Sequence, residues 1–210
     1  MAHRGSDDPS GLVPHSRFGD RSEPSGFDVP LEMIRAYYCY DDEILELIRV
    51  CSGHDYVQPP VFPESAIPAD VSHQRYTVRP RYCYVDMLMG CRTCGRDFIF
   101  FAREQQYWFE ELRFWVGTDC VHCPECRKRT RHLRQRFQRF SDRIGKDAIS
   151  NEEFATLVED AIFLWEAGVL RNEQKLRRLK NLALSHIPES EPSKAIIRLI
   201  SKIKEKEGDF

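Results

Sequence analysis

No stretch of about 18 consecutive apolar residues occurs in this 210-residue chain, so no segment reads as a membrane-spanning helix. The first residues, Met1 to Asp8, lack the apolar core of a secretory signal. Without export the expected compartment is cytoplasmic and reducing, and the eight cysteines then read as metal ligands and free thiols rather than disulfides. Catalytic signatures are also missing: there is no His-x-Glu, no His-Glu-x-x-His, no P-loop and no Gly-x-Ser-x-Gly. The chain is therefore not expected to be an enzyme. Net charge is small as well, at −2, which excludes a uniformly basic nucleic-acid binder but not a local basic face. The composition, 41% hydrophobic and 30% charged, is that of a globular chain holding one ordinary domain or two small ones.

What is present centres on Cys91 to Cys126. Cys91-Arg92-Thr93-Cys94-Gly95 opens this stretch and Cys123-Pro124-Glu125-Cys126-Arg127 closes it. Two cysteines three apart on a tight turn aim both sulfurs at one centre, and the turn's N–H groups offset the thiolate charge. Gly95 suits the end of such a turn because glycine adopts positive φ without steric cost, and Pro124 is harmless inside the second. Four thiolates, Cys91, Cys94, Cys123 and Cys126, match one tetrahedral structural zinc. The second pair has a competitor: Cys120 is also three residues from Cys123 and is the reserve ligand, with His122 a weaker one. The intervening loop exceeds the usual four-Cys spacing, so it is expected to carry structure of its own.

The stretch resembles a small bacterial family, the probable zinc-ribbon domain, sometimes grouped with treble clefs. The resemblance rests on Cys91-Arg92-Thr93-Cys94-Gly95 with Phe98-Ile99-Phe100, on Glu104-Gln105 with Tyr107-Trp108-Phe109, and on Cys123-Pro124-Glu125-Cys126-Arg127 with Lys128-Arg129. It covers about residues 84–131 and implies zinc binding and little more. Glu111 to Val121 departs from the pattern, being longer, more aromatic and carrying Cys120.

The expected fold class is α+β: a small zinc-ribbon β-hairpin module with two Cys-x-x-Cys knuckles, flanked by N-terminal helices and a C-terminal helical bundle. Residues 1–28, rich in Gly, Pro, Ser and Asp, read as a disordered tail. Residues 29–53 read as helical, with Pro30 in a first turn, a second helix starting at Asp41 or Asp42, and Gly53 as its stop. Cys39 and Cys51 there read as small buried residues. Residues 54–81, with five prolines, His54 and His73, read as a turn-rich connector. The module itself spans 82–131: a strand over Tyr82–Met89 with Cys83 packed beside the site, an aromatic strand at Phe98–Phe101, a short helix over Arg103–Leu112, and a third strand at Phe114–Val116. The aromatics read as the module's core or, alternatively, as a base-stacking surface.

From Arg127 to Lys146 the character changes. Nine cations stand there against one acid, Asp142, a local net of +8. Leu133, Phe137 and Phe140 form one apolar stripe, so this is a basic helix. Arg127, Lys128, Arg129, Arg131 and Arg134 are the candidate phosphate contacts, since guanidinium groups bind oxygen pairs; a solvated face, or pairing with acids of the C-terminal helices, is the competing reading. Ser150 with Glu153 marks a helix start, and residues 150–207 read as a three-helix bundle. Three functions follow: a zinc-stabilised module contacting nucleic acid or another polyanion, a protein-interaction adaptor gripping a partner through the C-terminal helices, and a redox or iron-binding Cys-x-x-Cys protein.

Overall fold

The computed structural model describes residues 11–38, 50, 59–77, 79–146 and 149–208. The second N-terminal helix expected after Asp41, with Cys39, Cys51 and His54, lies outside the described residues. The chain divides into two compact units, Met1–Arg127 and Lys128–Phe210.

In the first unit, α1 (Leu31–Tyr38) precedes a three-stranded antiparallel sheet of β1 (Val61–Pro68), β2 (Cys83–Gly90) and β3 (Asp97–Phe100), in that order. β2 and β3 form the expected hairpin, with Met87 opposite Phe100 and Gly90 opposite Asp97. β1 corrects the connector reading of 54–81. Prolines cannot donate to a ladder, but an edge strand tolerates them, and β1 is an edge. Its register slips between Phe62 and Ile67, and Ser65 fills the irregularity by donating to Phe62 O (2.6 Å) and accepting from Asp86 N (2.8 Å). The third strand expected at Phe114–Val116 does not form; only an isolated bridge joins Arg75 and Trp115. α2 (Ala102–Gln106) follows β3 and widens into a π-helical turn over Tyr107–Glu111. That turn sorts the crowded aromatics: Phe109 is fully buried, Trp108 half-buried and Tyr107 exposed.

The disordered-tail reading fails for residues 11–28, which lie along the sheet as a strap. Val13 N donates to Asp97 O (2.8 Å), Ser22 Oγ to Asp86 Oδ2 (2.8 Å), and Ser25 Oγ to Ala66 O (2.5 Å). Val13 is buried, and His15 and Phe18 stack on each other and meet Phe101 edge-on and tilted, while Phe27 stays 57% exposed. Cys83, expected beside the knuckles, is buried instead with Ile34, Tyr38 and Val85.

α3 (Pro124–Arg143) starts in the first unit and continues into the second. There, α4 (Asn151–Glu166), α5 (Glu173–His186) and α6 (Glu191–Gly208) form a bundle around Leu157, Val158, Leu164, Leu176 and Ile196. Ser150 and Glu153 make the reciprocal capping box at α4, and Gly168 at φ 72° ends it. Of the stripe on α3, Phe140 is buried and Leu133 half-buried, while Phe137 is 49% exposed.

Candidate metal centre

The first knuckle is a turn between β2 and β3. Gly95 N donates to Cys91 O (2.8 Å) and Cys91 N to Arg96 O (3.0 Å), closing it, with Gly95 at φ 74°. The second pair departs from the expected tight turn. Cys123 immediately precedes α3, Pro124 is the first helical residue, and Cys126 lies in the first turn. The helix N-terminus then faces its positive dipole end toward the sulfurs, which favours thiolate. An Arg96–Glu125 ion pair and the bond from Arg92 N to Val121 O (2.9 Å) tie the two halves together.

These elements bring the sulfurs of Cys91, Cys94, Cys123 and Cys126 within 4.8 Å of one another, with Cys94 and Cys123 at 3.8 Å. Metal–sulfur bonds of about 2.3 Å give a tetrahedron with edges of about 3.8 Å, so the set fits one metal ion. Backbone groups support it: Cys123 N donates to Cys91 Sγ (3.3 Å) and Cys126 N to Cys123 Sγ (3.5 Å). Burial would raise the Cys91 thiol, but the N–H groups of Cys123, Cys94 and Thr93 outweigh it and bring it down to about 5. Cys126 is pushed up to about 12, by burial and by its hydrogen bonds to the other three sulfurs. All four positions are protein sulfur, leaving no open site for a water.

Cys120 is not in the group. It is buried, its Sγ points to His122 O (3.7 Å), and burial pushes its thiol up to about 12. His122 is engaged with Thr93 Oγ1 through Nδ1 (3.0 Å), and His73 with Asp70 (2.6 Å). Cys120 instead packs with Val13, Phe98 and Phe100 around the ligand sulfurs.

Residues 85–135 match a family model described as the probable treble clef domain. The match and the four-cysteine cluster together support a domain of the zinc-ribbon and treble-clef type in this segment. No curated protein and no solved structure matches the chain.

In the treble-clef segment the Glu104-Gln105 step acquires a physical role that the sequence alone did not disclose. Gln105 is fully buried; its Nε2 donates to Val85 O (2.5 Å) and Phe100 O (3.0 Å), and its Oε1 accepts from Tyr38 Oη (3.0 Å). It thereby fastens α2 to the hairpin and to α1. Glu104, 5% exposed, accepts from Arg127 Nη1 (2.6 Å), whose guanidinium also lies 5.1 Å from the Trp108 ring centre. Arg127, a sequence candidate for phosphate contact, is therefore a strut bracing the helix that carries Cys126. Lys128, Arg129, Arg131 and Arg134 are exposed. Farther along α3, Arg139 grips the buried Asp160 through Nε and Nη2 (both 2.6 Å), joined by Arg136 (3.4 Å). The sequence signal for these pairs was slight: Asp160 opens the apolar run Ala161-Ile162-Phe163-Leu164, and Glu104 stood out only through the Glu104-Gln105 step of the resemblance.

Proposed function

We propose that the protein is a non-enzymatic, cytoplasmic binding module, folded around one Zn2+ held by Cys91, Cys94, Cys123 and Cys126, whose basic helix contacts a nucleic-acid backbone. Lys128, Arg129, Arg131 and Arg134 make the contact, and Arg127 holds the helix in place. The observation that carries the reading is the exposure of these four cations on a helix whose Arg136 and Arg139 are turned onto a buried acid. Among the described residues, no acid lies within ion-pair distance of Lys128, Arg131 or Arg134. Binding through phosphates releases counterions, so affinity falls with salt, by about 0.9 log units per decade for each duplex phosphate neutralised.

The test is fluorescence anisotropy with labelled DNA and RNA, single-stranded and duplex, at two salt concentrations. The parent should bind with a steep salt dependence, and a Lys128→Glu, Arg131→Glu, Arg134→Glu variant should lose binding while keeping its metal. Equal binding by parent and variant would end the proposal. A second reading, a protein adaptor acting through the C-terminal helices, is favoured by the exposed Leu184 and Val169; its signature is salt-insensitive binding to a protein.

A further inference from the structure

The C-terminal unit contains a cavity of about 730 Å³ between the end of α3, the start of α4 and one face of α5. Its floor is apolar, made by Phe154 and Leu157 of α4 and by Leu179 and Leu182 of α5. Its rim is cationic: Arg143 and Lys146 on one side, Lys175 and Arg178 on the other, with His186 beside them. No acid lines it among the described residues. The carboxylate whose charge bears on Arg143 and Lys146, Glu153, is occupied as the acceptor of Ser150 N (3.1 Å) and Ser150 Oγ (3.3 Å). Nη1 of Arg143 is buried with no hydrogen-bond partner. A buried guanidinium donor left unpaired is costly, and Arg143 is one of the residues lining the cavity.

The volume falls within the roughly 300–1,000 Å³ of small-molecule sites. An inorganic ion would satisfy the rim and leave Leu182, the exposed leucine of the lining, bare; a neutral apolar molecule would fill the floor and leave Arg143 unpaired. We propose that this cavity binds a single-chain amphipathic anion, an acyl chain ending in a carboxylate or a phosphate. The chain lies on Phe154, Leu179 and Leu182, and the head group meets Arg143, Lys175 and Arg178. The inference is independent of the nucleic-acid reading, which uses Lys128 to Arg134.

The experiment is calorimetric titration of the full metal-loaded chain with laurate, dodecyl phosphate, dodecanol and inorganic phosphate, each below its aggregation threshold. One equivalent of laurate or dodecyl phosphate should bind, and the tighter of the two names the head group. Dodecanol and inorganic phosphate should each be at least about tenfold weaker, the loss of one charge-assisted contact or of the buried chain. A Lys175→Gln, Arg178→Gln variant, altered only at exposed positions, should keep its circular dichroism and weaken laurate by about tenfold. The selectivity series on the parent stands even if that variant fails to fold. Dodecanol as tight as laurate, inorganic phosphate as tight as dodecyl phosphate, or no heat with any of them would overturn the proposal. So would displacement of laurate by a short single-stranded oligonucleotide, which would assign the rim to polyanion backbone.

Discussion

Replacing Arg127 by Gln should damage the metal domain far more than replacing any exposed cation on the same helix. Arg127 faces Glu104, whose side chain is 7% exposed, while its own is 22% exposed, so neither group can be rescued by solvent in place. Glu104 Oε2 has no hydrogen-bond partner, which leaves the Arg127 contact at Oε1 as the principal compensation for a buried carboxylate. Removing one partner of such a pair costs about 3–5 kcal/mol, because the remaining charge is stranded. The Trp108 contact adds about 1 kcal/mol more. Removing both charges strands neither, so the Glu104→Gln, Arg127→Gln double variant should recover part of the loss. Arg131→Gln should stay within about 0.5 kcal/mol of the parent. Denaturant unfolding at a fixed excess of zinc, followed by tryptophan fluorescence, measures all four chains, and metal must be held constant because its binding is part of the folding free energy. A single variant within about 1 kcal/mol of the parent would refute the strut. So would a double variant less stable than Arg127→Gln alone.

Three further outcomes follow from the same geometry. Protein purified without chelator should carry one zinc per chain by mass spectrometry; Cys94→Ser and Cys123→Ser should lose it, whereas Cys120→Ser should keep it. Iron in place of zinc would revive the redox reading. Asp160→Asn should destabilise the C-terminal bundle by about 2–4 kcal/mol, a figure reduced from that of a fully buried pair because Arg139 is 43% exposed and rehydrates; a change below about 1 kcal/mol in thermal unfolding would contradict the pairing. His15 has its pKa lowered, chiefly by burial, against the opposing pull of Glu104. The unfolded chain then takes up the proton more readily, so the strap is held best above about pH 6.5 and loosens as pH falls below it. Protection factors at Val13 and Phe18, corrected for the intrinsic pH dependence of amide exchange, should fall on acidification, and His15→Phe should abolish that fall.

The four-cysteine cluster was legible because its spacing is local: Cys91 with Cys94, and Cys123 with Cys126, announce themselves within four residues each. Ser150 with Glu153, and Gly168, were legible for the same reason, since caps are set by neighbours in sequence. The strap was not, because Val13 pairs with Asp97 and Ser22 with Asp86, across separations that carry no local signal. β1 was obscured by Pro63 and Pro68, which weigh against a strand everywhere except at an edge. The aromatic run 107–109 resisted assignment because a regular helix cannot sort three large rings, and the chain resolves this by widening the turn.

The run Arg127–Lys146 shows how far charge counting misleads when the partners are distant. Its nine cations divide among different tasks. Arg127 neutralises Glu104, Arg136 and Arg139 neutralise Asp160, and Arg143 and Lys146 border the cavity of the second unit. Lys128, Arg129, Arg131 and Arg134 are the exposed cations proposed to meet a backbone, half of what the local charge of +8 advertises. The distinction is measurable. Four duplex phosphate contacts give a slope of log K against log salt near about −3.6, whereas eight would give about −7. A slope near the larger value would mean that the arginines on Asp160 leave it to bind, and would make the acid at position 160 a competitor for nucleic acid rather than a fixed part of the bundle.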